Sequence, residues 1–229
     1  DSIPMVAITG QVSSKLIGRN AFQEIDIIGV TRPIVKHSYL VLDAMEIPSV
    51  FAEAFYIANS GRPGPVVIDL PKNVQQQICE PKFTETTTIR TYRPDHSLMK
   101  ISVSEIETIR EAIKNCSKPC IYAGGGIIAS DAADELTKFA ESYNIPVVTT
   151  LMGVGSIPEN HPLSLKWLGM HGTYFANFAA NEADLLIALG TRFDDRVTGP
   201  TETFAQNAKI IHVDIDKSEI NKNLRADIG

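Results

Sequence analysis

Hydrophobic and polar positions along this chain switch between a helical and a strand period. Pro4 to Val12 is a short run of β-formers carrying Gly10 and reads as a buried strand. From Ile47 to Ser60 the apolar positions Ile47, Val50, Phe51, Ala54, Phe55 and Ala58 follow the helical period, with Pro48 tolerated in the first turn and Gly61 as a stop. PVVIDL, Pro65 to Leu70, is apolar enough for a strand buried on both faces, and Pro71 is expected to end it. From Lys72 to about Ile101 no period is sustained. That stretch holds TETTT, Pro81 and Pro94, and we read residues 73–100 as a linker between residues 1–72 and 101–229.

The rhythm beyond the linker is clearer. Ser104 and Glu107 have capping-box spacing, ahead of a helix that places Ile106, Ile109, Ile113 and Cys116 on one face. PCIYAGGG reads as a strand entering a glycine turn, Ser130 as the cap of a helix running to about Tyr143, and Ile145 to Thr150 as a strand. Thr173 to Asn181 is expected to be helical, and LLIALG and KIIHVDID are strands, the second followed by a helix start at KSEINKN. Strands alternating with helices predict an α/β domain with a doubly wound parallel sheet and right-handed crossovers.

Composition narrows the function classes. Hydrophobic residues at 44% and charged residues at 21% are ordinary for a soluble globular protein of 229 residues. A net charge of -6 without any Lys/Arg cluster argues against a nucleic-acid partner. No apolar run reaches the roughly 18 residues of a membrane helix, and no signal peptide is visible. Cys79, Cys116 and Cys120 are an odd set, better read as ordinary thiols than as a disulfide framework or a zinc knuckle. The chain opens almost directly into a strand pattern and stops at RADIG, so we expect a piece of a longer protein.

In an open parallel sheet, ligands bind outside the carboxyl ends of the strands. The residues there are Gly124, Gly125 and Gly126; Thr150 and Leu151 with Met152 and Gly153; Gly190 to Arg196; and Asp214 with Ile215 and Asp216. The glycines suit a close-approaching phosphate, and equally a tight strand-to-helix turn. Arg192 and Arg196 offer charged forks to a pyrophosphate or carboxylate, or else pair with Asp194 and Asp195. Asp214 could accept from a ribose, or a carboxylate there could cap the next helix, a role that suits Asp216 better. In LGMHG, Leu168 to Gly172, Met170 and His171 could pack on a flat ring. The five histidines show no metal spacing. The rim lacks an obvious nucleophile or base. From the residues alone this is a nucleotide-binding α/β domain that holds a cofactor without acting on it.

Taken together, several blocks resemble the large catalytic subunit of the acetolactate synthase family. They are GQV at Gly10, AFQE at Ala21 to Glu24, TRPIVKH at Thr31 to His37 and SGRPGPVVIDLPKNVQQQ from Ser60. Further on come TLMGVGSIPENHPLSLKWLGMHGT, LLIALGTRFDDRVTG and IIHVDIDKSEINKN. The resemblance covers nearly the whole chain in order and spacing.

The resemblance implies a thiamine-diphosphate (ThDP) enzyme. It would condense two pyruvates, or pyruvate with 2-oxobutyrate, and release CO2 in branched-chain amino-acid biosynthesis. Residues 1–72 would be the second half of a pyrimidine-binding domain, and residues 101–229 most of a Rossmann-like, FAD-binding central domain. The implied FAD contacts are Arg62, Gly124, Gly125, Gly126, Thr150, Leu151, Leu168, Gly169, Met170, His171, Gly190, Thr191, Arg192, Asp194, Asp214 and Ile215. Gln23 would face the ThDP and substrate side, and Lys36 and Arg196 the substrate channel. Ser13 departs from the family's usual proline at the channel mouth. The glutamate that activates thiamine, and the magnesium and diphosphate site, fall outside residues 1–229. No catalytic residue and no metal ligand is therefore assigned here, and these residues alone are expected to be inactive.

The resemblance also implies a homodimer or higher oligomer, a small regulatory subunit, and a bacterial cytoplasm or plastid (chloroplast). Two other readings stay open: a related FAD and ThDP enzyme such as pyruvate oxidase, and a non-catalytic nucleotide-binding module.

Overall fold

A computed structural model describes residues 1–83, 89–92 and 101–229. The chain divides into two compact units, Asp1–His96 and Ser97–Gly229.

The first unit contains β1 (Met5–Gln11), α1 (Ile27–Thr31), β2 (His37–Leu40), α2 (Ile47–Asn59), β3 (Pro65–Pro71) and α3 (Lys72–Gln75). Its parallel sheet has the order β1-β3-β2, with Val6 opposite Val66 and Tyr39 opposite Ile68. Val66 and Ile68 of central β3 pack with Ala54, Ile57 and Ala58 of α2, and with Val41 and Val74. Two expectations are corrected here. β1 is not buried: among the described residues it pairs only with β3, so Met5 and Ile8 are exposed, and an apolar run cannot reveal whether a second strand will cover it. On α2, Ile57 takes the buried place, and Phe55 stands exposed beside an apolar groove lined by Ile47, Phe51 and Cys79. Pro71 pairs with Gln11 and is the last residue of β3, so the strand ends at this proline as expected. The aperiodic stretch begins with α3, whose Val74 is buried in this core, and Cys79, Ile89 and Tyr92 pack against the same core. TETTT and Pro94 lie outside the described residues.

The second unit contains α4 (Val103–Asn115), β4 (Pro119–Ala123), α5 (Gly125–Ala129), α6 (Ala133–Tyr143), β5 (Val147–Thr149), β6 (Ser164–Trp167), α7 (Tyr174–Glu182), β7 (Leu185–Leu189), α8 (Asp195–Thr198) and β8 (Lys209–Val213). Every pairing in its five-stranded sheet, order β6-β5-β4-β7-β8, is parallel. The predicted doubly wound α/β architecture is therefore observed. Alternate residues build two cores. Cys120, Tyr122, Val148, Leu186 and Ala188 pack on one face of the sheet, and Ile121, Ala123, Val147, Leu185 and Ile187 on the other.

Local expectations fail where a side chain bonds differently. The box at the start of α4 is Ser102 with Glu105, two residues earlier than predicted. Both serines have S-x-x-E spacing, and here the Ser102 hydroxyl accepts from the Glu105 N–H while the Glu105 carboxylate accepts from the Ser102 N–H. Ser130 caps no helix start: its hydroxyl donates back to Gly126 O at 2.8 Å and closes α5. Residues 217–223 form turns rather than a helix. The Asp216 carboxylate accepts from Ser218 N at 3.0 Å, and Asn221 sits at φ +63. The tail then folds back along β8, with His212 N–H donating to Ile228 O at 2.8 Å. β6 was not anticipated, because SLKW is too short and mixed to show a strand period.

Candidate functional site at the carboxyl edge of the second sheet

Because all five strands run parallel, the loops that leave them emerge along one edge of the sheet. β4 sits between β5 and β7, so the chain reverses direction across the sheet beside it, the place where such sheets form a ligand crevice.

The glycines at this switch point pack loop against loop. Gly126 N–H donates to Gly190 O at 2.9 Å, and Gly124 N–H to Leu189 O at 2.9 Å. A Cβ on Gly124 would strike Gly190 O and Thr191 Cα, and one on Gly126 would lie 2.5 Å from Gly190 Cα. Gly190 itself has φ +57. Of the two roles open to the triple glycine, close packing of the turn is thus directly visible at Gly124 and Gly126. Gly125 faces Met152 instead, where a Cβ would meet the Met152 Cβ at 3.1 Å.

After β5, Thr150 N–H donates to Ala123 O at 2.9 Å, and its hydroxyl accepts from Gly153 N–H at 2.9 Å, fixing a short 3-10 turn over Leu151–Gly153. After β6, Leu168 is drawn into the core, so only its backbone reaches the edge. Gly169 adopts φ +110 against Arg196 O, and Met170 N–H donates to that same carbonyl at 2.9 Å. Asn177 of α7 pins the loop by accepting from Gly169 N–H and donating to Gly169 O. Asn177 is a site-shaping residue that the amino-acid pattern did not single out, because a lone Asn on a helix carries no such signal. Leu151, Met170 and Ile215 are 64, 63 and 53% exposed, so this edge presents apolar surface where most loops present polar groups. His171 is exposed beside them.

After β7, Thr191 is buried and Arg192 exposed. Asp194 caps α8 by accepting from Arg196 N–H at 3.0 Å, and Asp195 stands 4.0 Å from the Arg196 guanidinium on the surface. Arg192 forms no ion pair with either aspartate. The surface pairing left open for both arginines is therefore found only at Arg196, where it is weak. After β8, the Asp214 carboxylate accepts from Asp216 N–H at 2.8 Å.

Three candidates belong to the first unit. Arg62 donates from Nε to Ser2 Oγ at 2.9 Å. Gln23 is exposed at φ +62, in a loop where the Glu24 carboxylate accepts from Gly18 and Ala21 N–H groups. Lys36 is half-buried; its ammonium donates to Ile57 O and Ser60 O at the carboxyl end of α2 and lies over the Tyr92 ring, and burial holds its pKa below the usual lysine value. Ser13 donates to Asn73 Oδ1 at 3.2 Å.

A model of the thiamine pyrophosphate enzyme central domain matches residues 106–229. The chain belongs to the thiamine pyrophosphate enzyme family. It is 53% identical over 224 residues to acetolactate synthase 1, chloroplastic, of Zea mays, covering 97% of this chain and 34% of that protein. It is 50% identical over 230 residues to the acetolactate synthase large subunit of Buchnera aphidicola, covering 100% of this chain and 40% of that one. The chloroplastic acetolactate synthase of Arabidopsis thaliana is 50% identical over 228 residues, with 97% and 33% covered. The chain thus spans about a third to two fifths of the length of the curated relatives it matches. Among the described residues there is no group of three or more His, Cys, Asp or Glu that could hold a metal ion, and no helix is long and apolar enough to cross a membrane.

Proposed function

We propose that this chain is part of the large catalytic subunit of an acetolactate synthase. The enzyme joins two pyruvates, or pyruvate with 2-oxobutyrate, with loss of CO2 in branched-chain amino-acid biosynthesis. The observation that carries the reading is the carboxyl edge of the second sheet. Five loops leave parallel strands along the edge that holds the glycine-packed switch point, and they carry exposed Leu151, Met170, Ile215 and Arg192.

Such an edge suits FAD. Apolar side chains can lie on flat rings, and a guanidinium can fork onto a diphosphate. The residues of the second unit we assign to FAD are Gly124 to Gly126, Thr150, Leu151, Leu168 to His171, Gly190 to Arg192, Asp194, Asp214 and Ile215. Leu168 would contribute backbone only. FAD would serve as a structural element of the enzyme. ThDP would supply carbanion-stabilising chemistry in the intact enzyme. In the first unit Gln23 would face ThDP and Lys36 the substrate; in the second unit we assign Arg196, separately, to contact with substrate. Lys36 would have to release the end of α2 to touch a ligand. The described residues do not fit a magnesium and diphosphate site, so we assign no step through a metal to them. A homodimer or higher oligomer, a regulatory small subunit, and a bacterial cytoplasm or plastid complete the proposal.

The test is Arg192→Ala in the intact enzyme, read by FAD retained on purification and by acetolactate formed from pyruvate. Loss of a charge-assisted contact to phosphate should weaken FAD binding by about tenfold or more. Unchanged FAD retention would remove Arg192 from the site. Steady electron flow from pyruvate through the flavin would point to an oxidase instead.

A further inference from the structure

The turn after β7 is held in a way that neither core packing nor the glycine junction requires. Three consecutive carbonyls are each claimed by a side chain from a different part of the fold. His212 of β8 lies 2.9 Å from Thr191 O through Nε2. A carbonyl only accepts, so Nε2 carries the hydrogen. Tyr122 of β4 donates its hydroxyl to Arg192 O at 3.4 Å. Asn223, in the turns after β8, donates its amide to Phe193 O at 2.5 Å.

The cost of this arrangement argues that it has a purpose. His212 is 1% exposed, and its Nδ1 has no hydrogen-bond partner among the described residues. A buried, unpaired ring nitrogen is unfavourable, and an aliphatic residue would continue the run of Ile210 and Ile211 without that penalty. What an aliphatic residue could not do is donate to Thr191 O. Tyr122 is fully buried, and burial pushes its phenol well above the usual range, which keeps it a donor. The Phe193 ring lies 5.7 Å from Tyr122 and 5.1 Å from His212, so the two donors also hold the one apolar anchor of the turn. The N–H groups of Thr191 to Asp194 donate to no described residue, so the backbone of this turn is fixed through its carbonyls.

We propose that Tyr122, His212 and Asn223 are positioning residues: they set the backbone of Thr191 to Phe193 and thereby aim Arg192 at the flavin dinucleotide. The proposal rests on the FAD reading above. It is tested in the intact protein with His212→Leu, which removes the donor, and His212→Gln, which can return an amide N–H near the same place. Asn223→Ala serves as a surface variant that spares the core. Three quantities are read: the FAD dissociation constant, amide exchange over residues 190–195 in flavin-free protein, and the melting temperature.

His212→Leu and Asn223→Ala should speed exchange in that turn. His212→Leu should weaken FAD by about tenfold, and His212→Gln should stay within about threefold of the parent. That difference should persist even if the two His212 variants melt together, which a purely structural role would not produce. Equal FAD constants for the Leu and Gln variants, or unchanged exchange at residues 190–195 in both His212→Leu and Asn223→Ala, would overturn the proposal. If the parent protein binds no FAD, the flavin reading falls, and the exchange rates alone decide whether the carbonyl clamp exists.

Discussion

The two sheets anchor their loops by different means. In the second unit, successive residues of β4 and β7 enter opposite apolar cores, and the loops start from strands that packing already fixes. In the first unit, β3 sends Val66 and Ile68 into one core, but its buried Asp69 belongs to a polar network with β1. Thr9 donates to Asp69 Oδ1 at 2.8 Å, and Gln11 Nε2 donates to Asp69 Oδ2 at 3.0 Å and to Ile25 O at 2.9 Å. Asn73 takes the other end of the same loop, accepting from Ser14 N–H at 2.7 Å. The long loop that carries Gln23 is thus tied at entry and exit by side-chain hydrogen bonds, whereas the loops of the second unit inherit their positions from the sheet. Hydrogen bonds of this kind contribute less each than buried apolar groups, but they are more specific in direction.

The largest expected effect tests the two-core side of that contrast. Ile121 is fully buried at the centre of β4, between β5 and β7. Ile121→Ala should cost roughly 3 kcal/mol from lost transfer energy plus the cavity left behind. Denaturant unfolding of the variant should show this as a lower midpoint at an unchanged slope. A loss below about 1 kcal/mol would mean that the site collapses freely and that the sheet is not packed as described.

This contrast also explains what could be read from the sequence. PCIYA, LLIAL and KIIHV are apolar at almost every position, which is what a strand between two cores demands, and all three were legible with nearly correct bounds. From them the parallel sheet, and hence the edge carrying Gly124, Thr150, Gly190 and Asp214, could be anticipated, though not the order of its strands. Burial of β1 could not, because MVAITGQ has the same composition whether it lies in the middle or at the edge of a sheet. Nor could the cap of α4, since it depends on which of two equivalent serines takes the Glu105 N–H, or the turns after Asp216, whose carboxylate takes the Ser218 N–H with no helix following. Tyr122, His212 and Asn223 sit on two strands and a turn, far apart in sequence, and only the fold brings them to one backbone segment.

An intermediate effect is expected in the polar half of the comparison. Asp69→Ala would leave the Thr9 hydroxyl and the Gln11 amide without their acceptor, at a cost of roughly 2 kcal/mol. It should also loosen the exit of the loop, because Gln11 would hold Ile25 O without its own second partner. Trypsin reports on that directly, since Lys15 and Arg19 both lie inside the loop. Cleavage there should accelerate in Asp69→Ala and be partly restored in Asp69→Asn, which keeps one oxygen. If cleavage is as slow in the alanine variant as in the parent, the loop is held by something other than this network.

The smallest effect lies at the margin of the second unit, where α4 has no fully buried residue and its start depends on the cap. Ser102→Ala should destabilise by about 1 kcal/mol, and Ser104→Ala should change stability by less than about 0.5 kcal/mol, because only the Ser102 hydroxyl takes the Glu105 N–H. The pair discriminates between the observed box and the one the sequence offered two residues later. Acid adds a second discrimination. The Ser102 hydroxyl and backbone N–H hold the Glu105 carboxyl below its ordinary value of 4.5. A carboxyl whose pKa is depressed by folding stabilises the fold above its unfolded pKa, and that contribution fades as pH falls through the lower folded value. The gap between the parent and Ser102→Ala should therefore be full at neutral pH and shrink below pH 4.5, whereas Ser104→Ala should follow the parent throughout. A gap that stays constant into acid would mean that the hydroxyl alone caps the helix, without the reciprocal bond from Glu105.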